Sequence, residues 1–344
     1  MARSSSATIL TASGTDITGD LRPHLMSVEV TQRLHGRADE VSIRLEDRDG
    51  EWRSDFKPSP GDRIQVEYGV SDWRGAGDSR SVGWGAFEID KVTLSGSPAE
   101  VTVGAQSAYV TRSMRQQKRT QAWESTTLKE IAGEIASRQD LGLSYTAGRN
   151  PRHDRLDQTS AADLRFLRQQ CERWNLRCRV GLERLIITSD PELAALEEPI
   201  RRAAEEDGDL LACTNYELEE RTYSLARTAT VTYDDPVENE PIKRSVEDTQ
   251  APETGEEVAI NERIRSAGQA EIRAAGGLEW HNRERFTASL SVPGRLQLRP
   301  GFVVPLEGFG RFDGAYVIDE ATHTISRSGY ETTATIYKRR PPLI

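Results

Sequence analysis

One segment occurs twice, and that duplication constrains the fold more than any single motif. Near the N-terminus the chain reads Pro60-Gly61-Asp62-Arg63-Ile64-Gln65-Val66 and, after a polar insert, Gly85-Ala86-Phe87-Glu88-Ile89-Asp90. Near the C-terminus it reads Pro300-Gly301-Phe302-Val303-Val304-Pro305-Leu306 and then Gly314-Ala315-Tyr316-Val317-Ile318-Asp319. An alternating segment precedes each copy, at 41–45 and 286–290, and another comes after, at 101–103 and 333–336. Apolar residues at every second position turn one face of a strand toward a core. The chain therefore carries one β-module twice, with something different in between.

The modules differ in one respect. Residues 71–83 are polar, Gly-rich and carry Trp73 and Arg74, and the second copy has no counterpart. They read as an elaborated loop, either a solvated hairpin tip or the place of a function specific to one copy. The middle, 108–208, changes period. Thr127-Leu128-Lys129-Glu130 is a capping box, and Leu128, Ile131, Ala132, Ile135 and Ala136 recur at helical spacing. Ser160-Ala161-Ala162-Asp163 reads as a second cap, before Leu164, Leu167, Cys171 and Trp174 on one face. That stripe is core packing, not a cofactor box. Residues 177–180 and 185–188 read as a strand pair, and 191–207 as a short helix plus linker. Farther on, 235–258 lacks periodicity and reads as a mobile acidic loop. Ser266 starts a helix that Gly276-Gly277 should end. The boundaries expected are a first β-barrel at 1–107, a central α/β insert at 108–208 and a second barrel at 209–344.

The formal charge of −10 argues against a general nucleic-acid binder, which presents a basic face. The N-terminus has no apolar stretch of the kind a signal peptide needs, and no apolar run approaches the length that spans a bilayer. Synthesis in the cytoplasm without membrane insertion is expected. Cys171, Cys178 and Cys213 form no CxxC pair and read as reduced, mostly buried thiols.

Catalytic patterns are missing from the sequence: no HExxH, GxSxG or phosphate-binding P-loop occurs. Gly308-Phe309-Gly310-Arg311-Phe312-Asp313-Gly314 has the wrong spacing for a dinucleotide fingerprint and leads into a strand. His24, His35, His153, His281 and His323 lie far apart; His153-Asp154 reads as a surface ion pair, and His323 as a structural hydrogen-bonding residue or an interface residue. Adjacent acids such as Glu219-Glu220 would point to opposite faces of a strand and cannot flank one bond. No catalytic residue, metal site or cofactor is expected. Trp73, Arg74, Trp84 and His323 are the candidate protein-interface residues.

The ordered motifs resemble the phage late control protein D family, the baseplate hub proteins of contractile tails. At the C-terminus the resemblance rests on Arg299-Pro300-Gly301, Leu306-Glu307-Gly308-Phe309-Gly310, Gly314-Ala315-Tyr316, Thr322-His323-Thr324-Ile325 and Gly329-Tyr330-Glu331-Thr332. The middle supplies residues 157–167 and Trp174-Asn175-Leu176, and the first module Lys57-Pro58-Ser59-Pro60-Gly61-Asp62. The resemblance implies a mainly β protein, with two tail-tube-like β-barrels flanking a small central α/β domain. It implies a homotrimer that joins a hexameric tail tube to a trimeric spike through a pseudo-sixfold ring, with no catalysis. Partners would be the tail tube protein, the spike protein and other baseplate or tape measure proteins, in a virion or tail-like particle assembled in the bacterial cytoplasm. The central insert distantly resembles a LysM-type unit. That gives the alternative, a cell-wall-binding or peptidoglycan-degrading tail protein acting through this domain.

Overall fold

The computed structural model describes residues 3–54, 59–181, 183–204, 209–234, 241–253, 255–264 and 266–344. Lys57 and Pro58 of the first motif lie outside them, as do 205–208 of the expected linker and 235–240 of the expected acidic loop.

The first copy comprises β1 (Ser4–Thr11), β2 (Leu25–Arg33), β3 (Glu40–Glu46), β4 (Arg63–Ser71), β5 (Arg80–Ser95) and β6 (Glu100–Ser107), with one-turn helices α1 (Thr18–Leu21) and α2 (Glu51–Ser54) between strands. The middle runs α3 (Arg112–Gln116), β7 (Lys118–Thr127), α4 (Leu128–Arg138), β8 (Gly142–Tyr145), β9 (Arg152–Ala162), α5 (Asp163–Arg173), β10 (Arg177–Gly181) and β11 (Arg184–Thr188). Short strands β12 (Ala194–Ala195) and β13 (Ile200–Arg201) lead to β14 (Asn215–Glu220), β15 (Ala226–Asp234), β16 (Pro241–Glu247), β17 (Glu256–Asn261) and α6 (Ala267–Asn282). The chain ends with β18 (Phe286–Pro293), β19 (Phe302–Glu307), β20 (Gly314–Ser326) and β21 (Gly329–Lys338).

The duplication is visible in the hydrogen bonding. The order β4-β5-β6-β3-β2 of the first copy corresponds to β19-β20-β21-β18-β14 of the second. Both Pro-Gly turns have a left-handed glycine, Gly61 at φ +96° and Gly301 at φ +90°. Each glycine donates its N–H to the isoleucine of the other half-motif, Gly61 to the Ile89 carbonyl at 2.7 Å and Gly301 to the Ile318 carbonyl at 3.4 Å. The aspartate next to that isoleucine is the bulge residue in both copies, for the register slips between Ile89 and Lys91 and again between Ile318 and Glu320. A bulge kinks a strand and re-aims its remaining length, so a repeated bulge gives both modules the same bend.

The copies share one sheet. β2 pairs with the C-terminal half of β20, antiparallel from Ser27 opposite Ser326 to Arg33 opposite Glu320, and so makes a single 13-stranded sheet. The structure is mostly β. Two apolar clusters flank the seam, one around Ile9, Val28, Ile64 and Phe87, the other around Leu290, Val304, Tyr316 and Ile336.

A third cluster holds the middle. It joins α4 and α5, through Leu128, Ile135, Leu167, Cys171 and Trp174, to Ala229, Val231, Ala274 and Leu278 from beyond residue 209. The unit around the central helices therefore draws in β15–β17 and α6. The 241–258 part of the expected mobile loop supplies two strands, β16 and β17, which flank β15. Sequence periodicity missed them because these short strands find their partners in β15. Of the short helix expected at 191–207 there is a single 3-10 turn, Asp190–Glu192; β12 and β13 follow it, pairing with β19 through a backbone that no apolar pattern marks.

Caps divide the same way. Thr127 and Glu130 form the expected box, Thr127 Oγ1 accepting from the Glu130 N–H at 3.3 Å and Glu130 Oε2 from the Thr127 N–H at 2.7 Å. Ser160 is not the cap expected of it; Ala162 stands at the cap of α5 with no side-chain bond. Asp163 is instead buried, accepting from Gln158 Nε2 at 3.0 Å, Gln139 Nε2 at 3.2 Å and Arg138 Nη1 at 3.3 Å.

The helix after Ser266 does not stop at Gly276-Gly277 but continues to Asn282. A Cβ on Gly276 would lie 3.0 Å from the Trp174 carbonyl carbon and 3.1 Å from its Cα, so this glycine permits close backbone contact with the end of α5. Gly276→Val is expected to destabilise the protein by about 2 kcal/mol, overpacking outweighing any helix propensity gained. Gly268→Ala, on the same helix with open space around it, should be neutral or stabilising. Urea midpoints of the two variants check this; equal midpoints would refute the close-contact reading.

Candidate functional site at the seam between the copies

Where the copies meet, each contributes aromatic and basic side chains that nothing in the local sequence pairs. Tyr68 on β4 is buried and donates its hydroxyl proton toward two carbonyls, Val28 at 2.6 Å and His323 at 3.1 Å. Its ring packs edge-on against Trp84 of its own copy, 5.6 Å between centroids, and Tyr330 of the other, 5.9 Å. Trp84 lies 4.5 Å from the His323 ring, and the Arg299 guanidinium sits over the opposing indole at 5.3 Å.

His323 is fully buried on β20. Its Nε2 is 2.9 Å from the Leu298 carbonyl, an acceptor only, so Nε2 carries the proton. Nδ1 then accepts from the Tyr330 hydroxyl at 2.8 Å, with Thr332 Oγ1 at 3.1 Å. Burial pushes its pKa down to about 3, aided by the Arg299 charge and opposed by the Leu298 bond. The neutral ring is therefore the native form. With an unfolded value near 6.5, this group's contribution is complete above about pH 6.5 and is lost as pH falls toward 3, at about 1.4 kcal/mol per pH unit. Between pH 7 and pH 4 the wild-type protein should lose more stability than His323→Gln, as read from urea midpoints. Parallel losses would exclude the buried imidazole as the cause.

The hairpin extension that distinguishes the first copy closes over the same seam. β4 and β5 run on to Ser71 and from Arg80, leaving a tip at 72–79. Trp73 Nε1 donates to the Gly294 carbonyl at 2.7 Å, and its ring lies 5.7 Å from Tyr330. Arg74, at the rim, forms an ion pair with Glu198. Arg295, 3% exposed, reaches the Pro199 carbonyl at 3.0 Å and the Glu198 carbonyl at 2.5 Å. Desolvation brings its pKa down to about 10.

Of the four residues selected from the sequence, Trp84 and His323 are buried against each other, Trp73 ties the hairpin to Gly294 and Tyr330 of the second copy, and Arg74 pairs with Glu198 of the segment between the copies. Reading the sequence missed Tyr68, Gly294 and Arg295, whose partners are remote in the chain. Beside the seam a cavity of about 380 Å³ is lined by Gln32, Asp39, Trp84, Arg179, Arg299 and Phe302. Gln32 Oε1, Trp84 Nε1 and Arg179 Nε there are buried with no hydrogen-bond partner among the described residues.

His153, expected in a surface ion pair, is 9% exposed on β9, edge-on to Trp174 at 6.2 Å. The alternating strand buries it. Cys171 and Cys178 lie in the central core and Cys213 is half-buried, all three free thiols. Among the described residues no group of three or more His, Cys, Asp or Glu is arranged to hold a metal ion, and no helix is long and apolar enough to cross a membrane. The seam holds two modules in register.

No protein-family model matches the chain. A probable baseplate hub protein of Escherichia phage 186 is 23% identical over 364 residues, covering 95% of this chain and 91% of the relative. A probable baseplate hub protein of Escherichia phage P2 is 34% identical over 161 residues, covering 46% of this chain and 38% of the relative. Among solved structures, the 43 kDa tail protein of prophage MuSo2 from Shewanella oneidensis superposes with a TM-score of 0.71 at 12% identity, over 97% of this chain and 98% of the other. The tail protein of Neisseria meningitidis MC58 gives 0.70 at 13% identity, over 97% of each chain. The structural likenesses show a shared fold, and the sequence relatives are baseplate hub proteins. The relationship drawn from the motifs is the one these comparisons return.

Proposed function

We propose that this relative of the phage baseplate hub proteins is itself a structural hub, adapting a hexameric tail tube to a trimeric spike by presenting two similar barrel-like modules per chain. One observation carries the reading: the modules repeat not only in sequence but in strand order, bulge position and turn hydrogen bonds. Three such chains offer six near-equivalent modules, which is what a tube of sixfold symmetry requires beneath it. The seam supports this, because a rigid junction fixes the angle between neighbouring modules. In this reading the protein works by shape and contact, without catalysis, inside a baseplate assembled in the bacterial cytoplasm.

Counting subunits around the axis of the assembled particle tests the proposal. Three copies of this chain in one ring, with six module densities, is the expected image. A protein that stays monomeric when concentrated, and is absent from any ring in the particle, would sink it.

A further inference from the structure

The cavity of about 380 Å³ beside the seam is built by three parts of the chain. Trp84 comes from β5, Arg179 and Arg184 from the β10–β11 hairpin, and Arg299 and Phe302 from either side of the second Pro-Gly turn. Its volume lies in the range of small-molecule pockets, about 300–1,000 Å³, which favour such junctions. Three guanidinium groups and one carboxylate, that of Asp39, line it. The Asp39 oxygens are already taken, accepting from Arg179 Nη2 at 3.0 Å, from Gln32 Nε2 at 3.1 Å and from the Arg33 N–H at 3.1 Å.

The positive charge is therefore in excess. Among the described residues neither Arg184, exposed at the start of β11, nor Arg299 has a carboxylate partner. Arg299 Nε donates to the Leu296 carbonyl at 2.9 Å, and its guanidinium sits over the Trp84 indole at 5.3 Å. Its two terminal amino groups have no hydrogen-bond partner among the described residues. Burial pushes the Arg299 pKa down, and the neighbouring Arg179 charge adds to that. Of the buried orphan atoms at the cavity two are donors, Trp84 Nε1–H and Arg179 Nε–H, and one is an acceptor, Gln32 Oε1. Buried donors and half-buried charges without partners are costly unless something supplies the missing acceptors. In a chain of net charge −10, this excess is local.

We propose that the cavity binds a carboxylate carried on a small apolar body, the charge held by Arg299 and Arg184 and the body lying against Phe302 and Ile186. A guanidinium fixed on an aromatic face presents its planar fork to a carboxylate, which it can hold through two bonds. Phe302 is 36% exposed although it is large and apolar, and a bound ring or alkyl group would cover it. The inference does not rest on the hub reading, which concerns the number and arrangement of modules.

The test is calorimetric titration of the purified full-length protein with benzoate, with benzamide as its neutral counterpart and inorganic phosphate as an anion without an apolar body. Saturable binding of benzoate, with benzamide and phosphate much weaker, is the expected result. Arg299→Gln should weaken benzoate about tenfold or more, the size expected for losing a charge-assisted bond. Arg184→Gln, an exposed position whose loss cannot disturb the core, should weaken it too. Arg221→Gln removes the same charge elsewhere on the surface and should leave binding unchanged. A capped tripeptide with glutamate at its centre separates the sources of the carboxylate. Tighter binding of benzoate assigns the site to a free organic acid, and tighter binding of the peptide to an acidic side chain of another protein. Absence of saturable binding by both benzoate and the peptide would overturn the proposal, as would benzamide or phosphate binding as well as benzoate. Equal weakening by Arg184→Gln and Arg221→Gln would also overturn it, since only the overall charge would then matter.

Discussion

Arg177→Ala is expected to lower the stability of the protein by about 3–5 kcal/mol, the range for breaking a buried ion pair by removing one partner. Arg177 is 2% exposed at the start of β10. Its Nη2 donates to Asp190 Oδ2 at 2.9 Å and its Nε to the Tyr337 hydroxyl at 3.0 Å, while that hydroxyl donates to Asp190 Oδ1 at 2.9 Å. The guanidinium also lies over the Trp280 ring at 4.8 Å. Three parts of the chain therefore meet at one charge: the central unit, the segment leading to β12, and β21 of the second copy. Removing the arginine leaves the Asp190 carboxylate buried with, among the described residues, the tyrosine hydroxyl as its remaining side-chain partner. The double variant Arg177→Met, Asp190→Asn should recover part of the loss, since the Asp190 charge no longer lacks its partner. Urea unfolding of the single and double variants decides it, and equal midpoints would rule out the uncompensated charge as the cause. At the surface, Arg221→Ala should leave the midpoint where it was, because the exposed pair with Glu219 is screened by water.

Gly294→Ala should cost about 3 kcal/mol, because the added methyl has no room. A Cβ there would sit 1.9 Å from Cδ1 and 2.1 Å from Cγ of Tyr330. These atoms are near the root of a buried ring and cannot swing aside as the tip of a flexible chain would. The Gly294 N–H donates to the Tyr330 carbonyl at 2.8 Å, and its own carbonyl receives Trp73. The damage should therefore spread to the hairpin tip, with faster hydrogen exchange at residues 72–79 than in the wild type. Gly294→Ala combined with Tyr330→Leu should be more stable than the single variant. An unshifted midpoint for Gly294→Ala would mean that the backbone can retreat, and that the seam is looser than its contacts indicate.

The repeat was legible because it is written twice in the same residues. Pro60-Gly61 and Pro300-Gly301 mark the turns through backbone geometry that a few residues impose locally, whereas the bulges at Asp90 and Asp319 show only in the strand register. Thr127 and Glu130 were legible for the same reason: a capping box closes within four positions. Ser160-Ala161-Ala162-Asp163 was misread because an acid three residues after a serine serves equally as the partner of a cap or as a buried acceptor. Which it becomes depends on Gln139 and Gln158 arriving from elsewhere. Gly276 misled similarly: a glycine that stops one helix lets another approach the Trp174 backbone.

The strands of the two repeated segments and the twofold internal plan thus belong to the sequence alone, since side-chain alternation and turn glycines act over a handful of bonds. The pairing of β2 with β20, the burial of His323 against Trp84, and the triad of Arg177, Asp190 and Tyr337 belong to the tertiary structure. Arg177 finds Asp190 13 positions away, but Tyr337 160 positions away. Only the folded chain brings such groups within reach, and burial there is what turns an ordinary histidine neutral and one arginine into a structural necessity.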